Sequence, residues 1–253
     1  MFFSPVSSSS PVELTLASKI AAVLVASILL HGFLFHGSAW KSRFYQVPGS
    51  NLLAVKVKIL TEALCIDCKQ FVNGQLSEVY NALGPSVMDL QIVPFGNAKF
   101  VHVDGAERGD KPVLQCQHGV AECDGNIYEQ CVVMQLYPYA QRYLPFLRCL
   151  YDELPMGHSD QLLDRDAIAN CSTASDVEWV DIAACHDDEK QVALLQKRAK
   201  SQTPSYHKGV PWVEVNGRHV EITDDGASLL RAVCRAFISN GGTHPSCSSS
   251  LVV

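Results

Sequence analysis

No block of basic residues, no second Cys-x-x-Cys pair, no internal repeat and no readable sorting motif occurs in this chain. Each absence excludes a class of function. With 20 Lys and Arg against 26 Asp and Glu, a formal net charge of −6, there is neither an electrostatic footprint for nucleic acid nor a polybasic patch for a membrane. A regular zinc site wants two pairs of ligands at similar spacing, and Cys65–Cys68 stands alone. Long apolar runs are nearly absent too. The exception is Ile20 to Phe35, and low-complexity sequence is confined to Ser7–Ser10 and Ser248–Ser250.

Cysteine, by contrast, is plentiful. Ten cysteines in 253 residues would be a liability beside cytosolic glutathione, so an oxidising compartment fits better. The apolar run is preceded by Lys19 and followed by Gly37-Ser38-Ala39, small residues suited to signal peptidase. Residues 1–39 therefore read as a secretory signal cut after Ala39, with an uncleaved signal anchor as the rival. Residues 40–52 lead into one domain, 53–247, and 248–253 form a tail. Seven of the nine histidines lie beyond residue 39 and would offset much of the negative charge below about pH 6.

The segment Leu53–Leu60 alternates Val55, Val57 and Ile59 with Lys56 and Lys58, the period of a half-buried strand. From Glu62 to Leu83 the apolar residues recur at helical spacing until Gly84-Pro85, and Met88–Phe95 reads as a second strand. Val101 to about Gln202 shows no clear strand, holds six of the ten cysteines, and reads as a mainly helical insertion with helical fragments at Ile127–Gln135 and Pro145–Tyr151. A further helix begins at Asp187-Asp188-Glu189 and ends in Lys197, Arg198 and Lys200, as the helix dipole favours, with Val192, Leu195 and Ala199 on its apolar face. Asn216-Gly217 joins two short strands in a hairpin. Leu229, Leu230, Val233, Phe237 and Ile238 mark a last helix closed by Gly241-Gly242. The order fits an α/β, thioredoxin-like fold with a cysteine-rich helical insertion at about 101–202.

Cys65-Ile66-Asp67-Cys68 falls where a strand gives way to the first turn of a helix. Disulfide reduction needs one thiol of lowered pKa and a second close behind it to resolve the mixed disulfide. Cys65 is expected at the exposed helix start as nucleophile and Cys68 one turn further in. Asp67 opposes the Cys65 thiolate and Lys69 partly compensates. The bland readings are a structural bridge or half of a zinc site. An irregular zinc site of Cys116, His118 and Cys123 is the metal reading weighed, and no metal is assigned.

The run Cys116-Gln117-His118-Gly119, then Glu122-Cys123, Asn126 and Cys131, resembles the signature of the gamma-interferon-inducible lysosomal thiol reductase family at every fixed position. Glu62-Ala63-Leu64-Cys65 is similar to the family's lead-in, and Val210-Pro211-Trp212-Val213 with Val215-Asn216-Gly217 to its later strand. The resemblance runs from about Val55 to Cys247 and departs at Ile66-Asp67 and in the leader. It implies a protein disulfide reductase of an acidic endosomal or lysosomal lumen, acting on disulfide-containing proteins. No cofactor would be bound, and an external small thiol, cysteine or glutathione, would restore the dithiol. It also implies a cis bond before Pro211, with Val210 and Pro211 meeting substrate; without it an ordinary strand-start proline is expected.

Cys116, Cys123, Cys131, Cys149, Cys171, Cys185, Cys234 and Cys247 remain for four structural disulfides; Cys234 with Cys247 is favoured and the other pairings stay open. The signature segment is read as stapling, and His118 as a structural histidine before a proton shuttle. Asn170-Cys171-Ser172 permits one N-linked glycan. Two rival functions remain: a secretory-pathway disulfide oxidase or isomerase, set apart by reduction potential, and a secreted, disulfide-stapled binding protein without catalysis.

Overall fold

A computed structural model describes residues 52–102, 112–175, 177–223 and 227–250. The expected leader, 1–39, and most of the segment 40–52 lie outside the described residues, as does the end of the tail. Among the described helices none is long and apolar enough to cross a membrane.

Strand β1 (Val55–Thr61) is central, because its alternating Val55, Val57 and Ile59 are buried while Lys56 is exposed. It pairs in parallel with β2 (Met88–Pro94), Val55 opposite Met88 and Thr61 opposite Pro94. On its other side it runs antiparallel to β5 (Trp212–Val215), which hairpins into β6 (Arg218–Val220), giving the order β2-β1-β5-β6. The Asn-Gly turn has both residues at positive φ, as a tight hairpin of two residues requires. Asn216 Oδ1 also accepts from the Lys56 backbone N–H, which fastens the turn to the start of β1.

Between β1 and β2 run helices α1 (Ile66–Phe71) and α2 (Ser77–Leu83), joined by a π-helical turn over Val72–Leu76 in which Gly74 leaves helical geometry. The expected single helix is therefore kinked, and it begins at Ile66 rather than Glu62. Between β2 and β5 lie a strand pair, β3 (Lys99–Val101) with β4 (Val113–Gln115), and the helices α3 (Val120–Leu136), α4 (Ala140–Glu153), α5 (Arg165–Ser172), α6 (Trp179–Asp187) and α7 (Glu189–Gln202). The strand pair corrects the strand-free reading of this region. With three residues each and mostly exposed side chains, β3 and β4 carry no burial pattern to read. Asp188 caps α7, accepting from the N–H groups of Lys190 and Gln191. Helix α8 (Ser228–Ser239) buries Leu229, Val233 and Phe237, but Ile238 points to solvent, and Gly242 sits against the Phe237 ring where a Cβ would clash.

One sheet face buries Val57, Ile59, Leu90, Ile92 and Val213 against α8, the kinked helix and the helical region. The other face buries Leu60, Val93, Phe95 and Trp212 with Ala199 of α7.

The disulfides are Cys116–Cys123, Cys131–Cys185, Cys149–Cys171 and Cys234–Cys247. The second ties α3 to α6, the third α4 to α5, and the fourth α8 to the short α9 (Pro245–Ser250). The helical region thus gains covalent constraint where its helices pack on each other. Closing a longer loop removes more unfolded-state entropy, and the Cys131–Cys185 bridge spans 54 residues against 13 for Cys234–Cys247. Replacing Cys131 and Cys185 together by Ser is expected to cost about 2–5 kcal/mol in urea unfolding, about 1 kcal/mol more than the same change at Cys234 and Cys247. An equal or smaller cost would show that the loop-length argument fails here.

Candidate active site

At the end of β1 the chain makes a buried turn through Glu62, Ala63 and Leu64 before α1 starts, and the helical region holds that turn. The Ala63 N–H donates to Asn126 Oδ1 at 2.9 Å, the Tyr151 hydroxyl donates to the Glu62 carbonyl at 3.3 Å, and the Gly157 N–H donates to the Leu64 carbonyl at 3.0 Å. Gly125 is needed for this approach, since a Cβ there would lie 2.6 Å from that of Ala63. Two residues of the Cys116–Cys131 segment, Gly125 and Asn126, therefore shape the lead-in to Cys65 directly.

Cys65 is the N-cap of α1: the Cys68 backbone N–H donates to its Sγ at 3.2 Å. The Cys68 thiol, also donating to it, and this N–H hold the Cys65 thiol below the ordinary cysteine value, against the opposing pull of burial and of Asp67. Burial, and hydrogen bonding to Cys65, push the Cys68 thiol well above it. The pair is chemically unequal, with the anion favoured at Cys65 and the protonated thiol at Cys68. Both are free thiols, in contrast to the eight bonded cysteines. Lys69 does not compensate for Asp67, because its ammonium pairs with Asp152 at 3.2 Å.

The expected exposure of Cys65 is corrected: it is only 7% exposed, and Cys68 is fully buried. Cys65 nonetheless lines a recess of about 810 Å³, together with Ile66, Glu62, His118, Lys200 and Val210. Its Sγ lies 3.8 Å from the Val210 carbonyl. The Val210–Pro211 bond is cis. A second recess of about 650 Å³, which shares Val210 with the first, is walled by Phe71, Pro211, Trp212 and Ile222. Ile66, between the two cysteines, is 55% exposed at this surface. Asn170 is exposed on α5, while Cys171 inside its sequon is buried and bonded to Cys149.

Behind the pair lies a group that sequence reasoning did not assign. The carboxyls of Glu62, Glu122 and Glu129 are buried close to it, and His118 joins them. Burial, reinforced by Glu122, pushes Glu62 up to about 8, and burial does the same to Glu129. Glu62 and Glu122 stood in the lead-in and signature strings, so the signal was present without its meaning. Glu129 carries no sequence signal. His118 is not part of a sulfur-ligand site, because Cys116 and Cys123 are bonded to each other.

Residues 56–175 match the family described as gamma interferon inducible lysosomal thiol reductase. A protein of that name from Carassius auratus is 28% identical over 193 residues, covering 74% of this chain and 70% of the relative. Its namesake from Mus musculus is 26% identical over 199 residues, covering 78% and 73%. Among solved structures, BdbD of Bacillus subtilis superposes with a TM-score of 0.54 at 11% identity, covering 76% of this chain and 90% of that one. Oxidised DsbA of Mycobacterium tuberculosis gives 0.53 at 16%, covering 78% and 88%. At such identities the likeness speaks for the fold alone, which is thioredoxin-like.

A carboxyl whose folded-state pKa is raised binds its proton more tightly in the folded protein. The stability this confers is complete below the unfolded value of 4.5 and is lost as pH rises through about 8. The melting temperature is therefore expected to be higher at about pH 5 than at about pH 8, with a smaller difference in Glu129→Gln. A melting temperature that climbs with pH in this range would contradict the assignment.

Proposed function

This chain belongs to the gamma-interferon-inducible lysosomal thiol reductase family, and from that premise we propose that it reduces protein disulfides through a mixed disulfide at Cys65 that Cys68 resolves. That it is a thiol-disulfide oxidoreductase follows from the family and accords with the fold.

The observation that carries it is the hydrogen-bonded Sγ of Cys65 at the wall of an open recess, with the protonated Cys68 thiol directly behind. The Cys65 thiolate attacks one sulfur of the substrate disulfide; the bond between Cys65 Sγ and that sulfur forms, the substrate bond breaks, and the departing thiolate takes up a proton. Cys68 then loses its proton and attacks Cys65 Sγ, releasing the second substrate thiol. The substrate gains two electrons and the enzyme is left with a Cys65–Cys68 disulfide. Two equivalents of a small thiol, cysteine or glutathione, reopen it and leave as their own disulfide, so no bound cofactor takes part.

Val210 lines both recesses and Pro211 the smaller one, so an extended substrate chain could lie against the Val210 backbone beside Cys65. An acidic endosomal or lysosomal lumen, or another part of the secretory pathway, is the compartment proposed. The four disulfides suit an oxidising, secretory setting, the similar fish and mouse proteins are named lysosomal, and the raised carboxyls favour acid. A cleaved signal at residues 1–39 and a glycan at Asn170 belong to the same proposal.

Insulin-disulfide reduction, followed from about pH 4 to about pH 8, tests the roles. Cys65→Ser is expected to abolish turnover, and Cys68→Ser to accumulate a covalent adduct between enzyme and substrate. Turnover retained in Cys65→Ser would remove the assigned nucleophile. Oxidation of reduced substrate in preference to reduction of insulin would favour the oxidase reading instead.

A further inference from the structure

His118, Glu122 and Glu62 converge in the wall of the larger recess in a way that the thiol chemistry leaves unexplained. His118 Nδ1 lies 2.7 Å from Glu122 Oε2 and 3.7 Å from Glu62 Oε2, and one potential ligand atom from each residue falls within 4.8 Å of the other two. Each carboxylate is gripped by one oxygen. Glu62 Oε1 accepts the Asn97 backbone N–H, and Glu62 packs against Gly96, where any Cβ would collide with it. Glu122 Oε2 accepts the His118 backbone N–H at 2.7 Å.

Glu62 Oε2 and Glu122 Oε1 are buried and have no hydrogen-bond partner among the described residues. Their side chains are 1% and 0% exposed. Unpartnered buried carboxyl oxygens are costly unless a positive group or a donor meets them. Glu62 Oε2 lies 3.7 Å and Glu122 Oε2 2.7 Å from His118 Nδ1, so the two buried carboxyls meet the imidazole nitrogen in a preorganised frame suited to positive charge, with supporting bonds from Asn97 and the His118 amide.

We propose that Glu62, His118 and Glu122 form a binding site for a divalent cation of borderline softness, Zn²⁺ being the type. The donor set of one imidazole nitrogen and two carboxylate oxygens suits that class. Ca²⁺ takes at least six oxygen ligands, and Mg²⁺ demands an octahedral oxygen shell, which three residues with a nitrogen among them do not supply. Three protein ligands leave a fourth tetrahedral position for water or an incoming group. His118 and Glu62 line the recess, so a cation has a path from solvent. The reduction of disulfides does not require this ion. It would instead be a second ligand of the recess that Cys65 also lines.

Zn²⁺ alone serves as the probe, titrated calorimetrically into the full chain with the Cys65–Cys68 disulfide closed, so that the redox pair cannot chelate it. One equivalent is expected to bind. Affinity should fall at least about tenfold in His118→Ala and in Glu122→Gln, and remain unchanged in His158→Ala, whose imidazole is exposed elsewhere. Glu62→Gln, which keeps the side-chain shape, should weaken binding likewise and guards against a folding defect in the other variants. With Co²⁺ in place of Zn²⁺, the absorption spectrum should show ligand-field bands without a thiolate charge-transfer band. No stoichiometric binding, equal affinity in folded variants, or a thiolate band would each overturn the proposal.

Discussion

Everything chemical about this protein hangs on the hydrogen bond from the Cys68 amide to the Cys65 sulfur. It exists because α1 begins at Ile66, which makes Cys65 the cap and leaves the Cys68 N–H without a helical acceptor. A sulfur placed there is stabilised as an anion, while the second sulfur is carried one turn inward and desolvated. The asymmetry that a two-step exchange needs thus follows from where one short helix starts.

That starting point is fixed from outside the strand and helix that carry it. Asn126, Tyr151 and Gly157 each bond the backbone of residues 62–64, and Gly125 lets α3 come within contact of Ala63. The long region between β2 and β5 is therefore a brace for the reactive turn as well as an addition to the core. Its own packing is fixed by three disulfides, and its stiffness is passed to the cysteine pair through those three hydrogen bonds.

Local pattern made much of this legible. The Val-Lys alternation gave away β1, Asn216-Gly217 the hairpin, and Asp188 the start of α7, because in each case the determining contacts lie within a few residues. What was hidden depends on distance in sequence. Gly74 breaks the first helix, yet an isolated glycine in an apolar-periodic run does not announce a kink. Lys69 looked like a partner for the thiolate and turned instead to Asp152, on a helix some eighty residues away. The burial of Cys65 and the gathering of Glu62, Glu122 and Glu129 behind it are likewise tertiary, since buried carboxyls leave no periodic trace. In the signature segment the cysteines are visible as staples, whereas Gly125 and Asn126 act through contacts with residue 63 that only the fold reveals.

The most direct test of the account is the pH dependence of alkylation of the reduced protein by iodoacetamide, read residue by residue by mass spectrometry. Cys65 should react first, with an apparent pKa below the ordinary thiol value of 9.0, while Cys68 stays unlabelled in the folded protein. Labelling of Cys68 ahead of Cys65, or titration of Cys65 as an ordinary thiol, would contradict the claim that the start of α1 sets the chemistry of this pair.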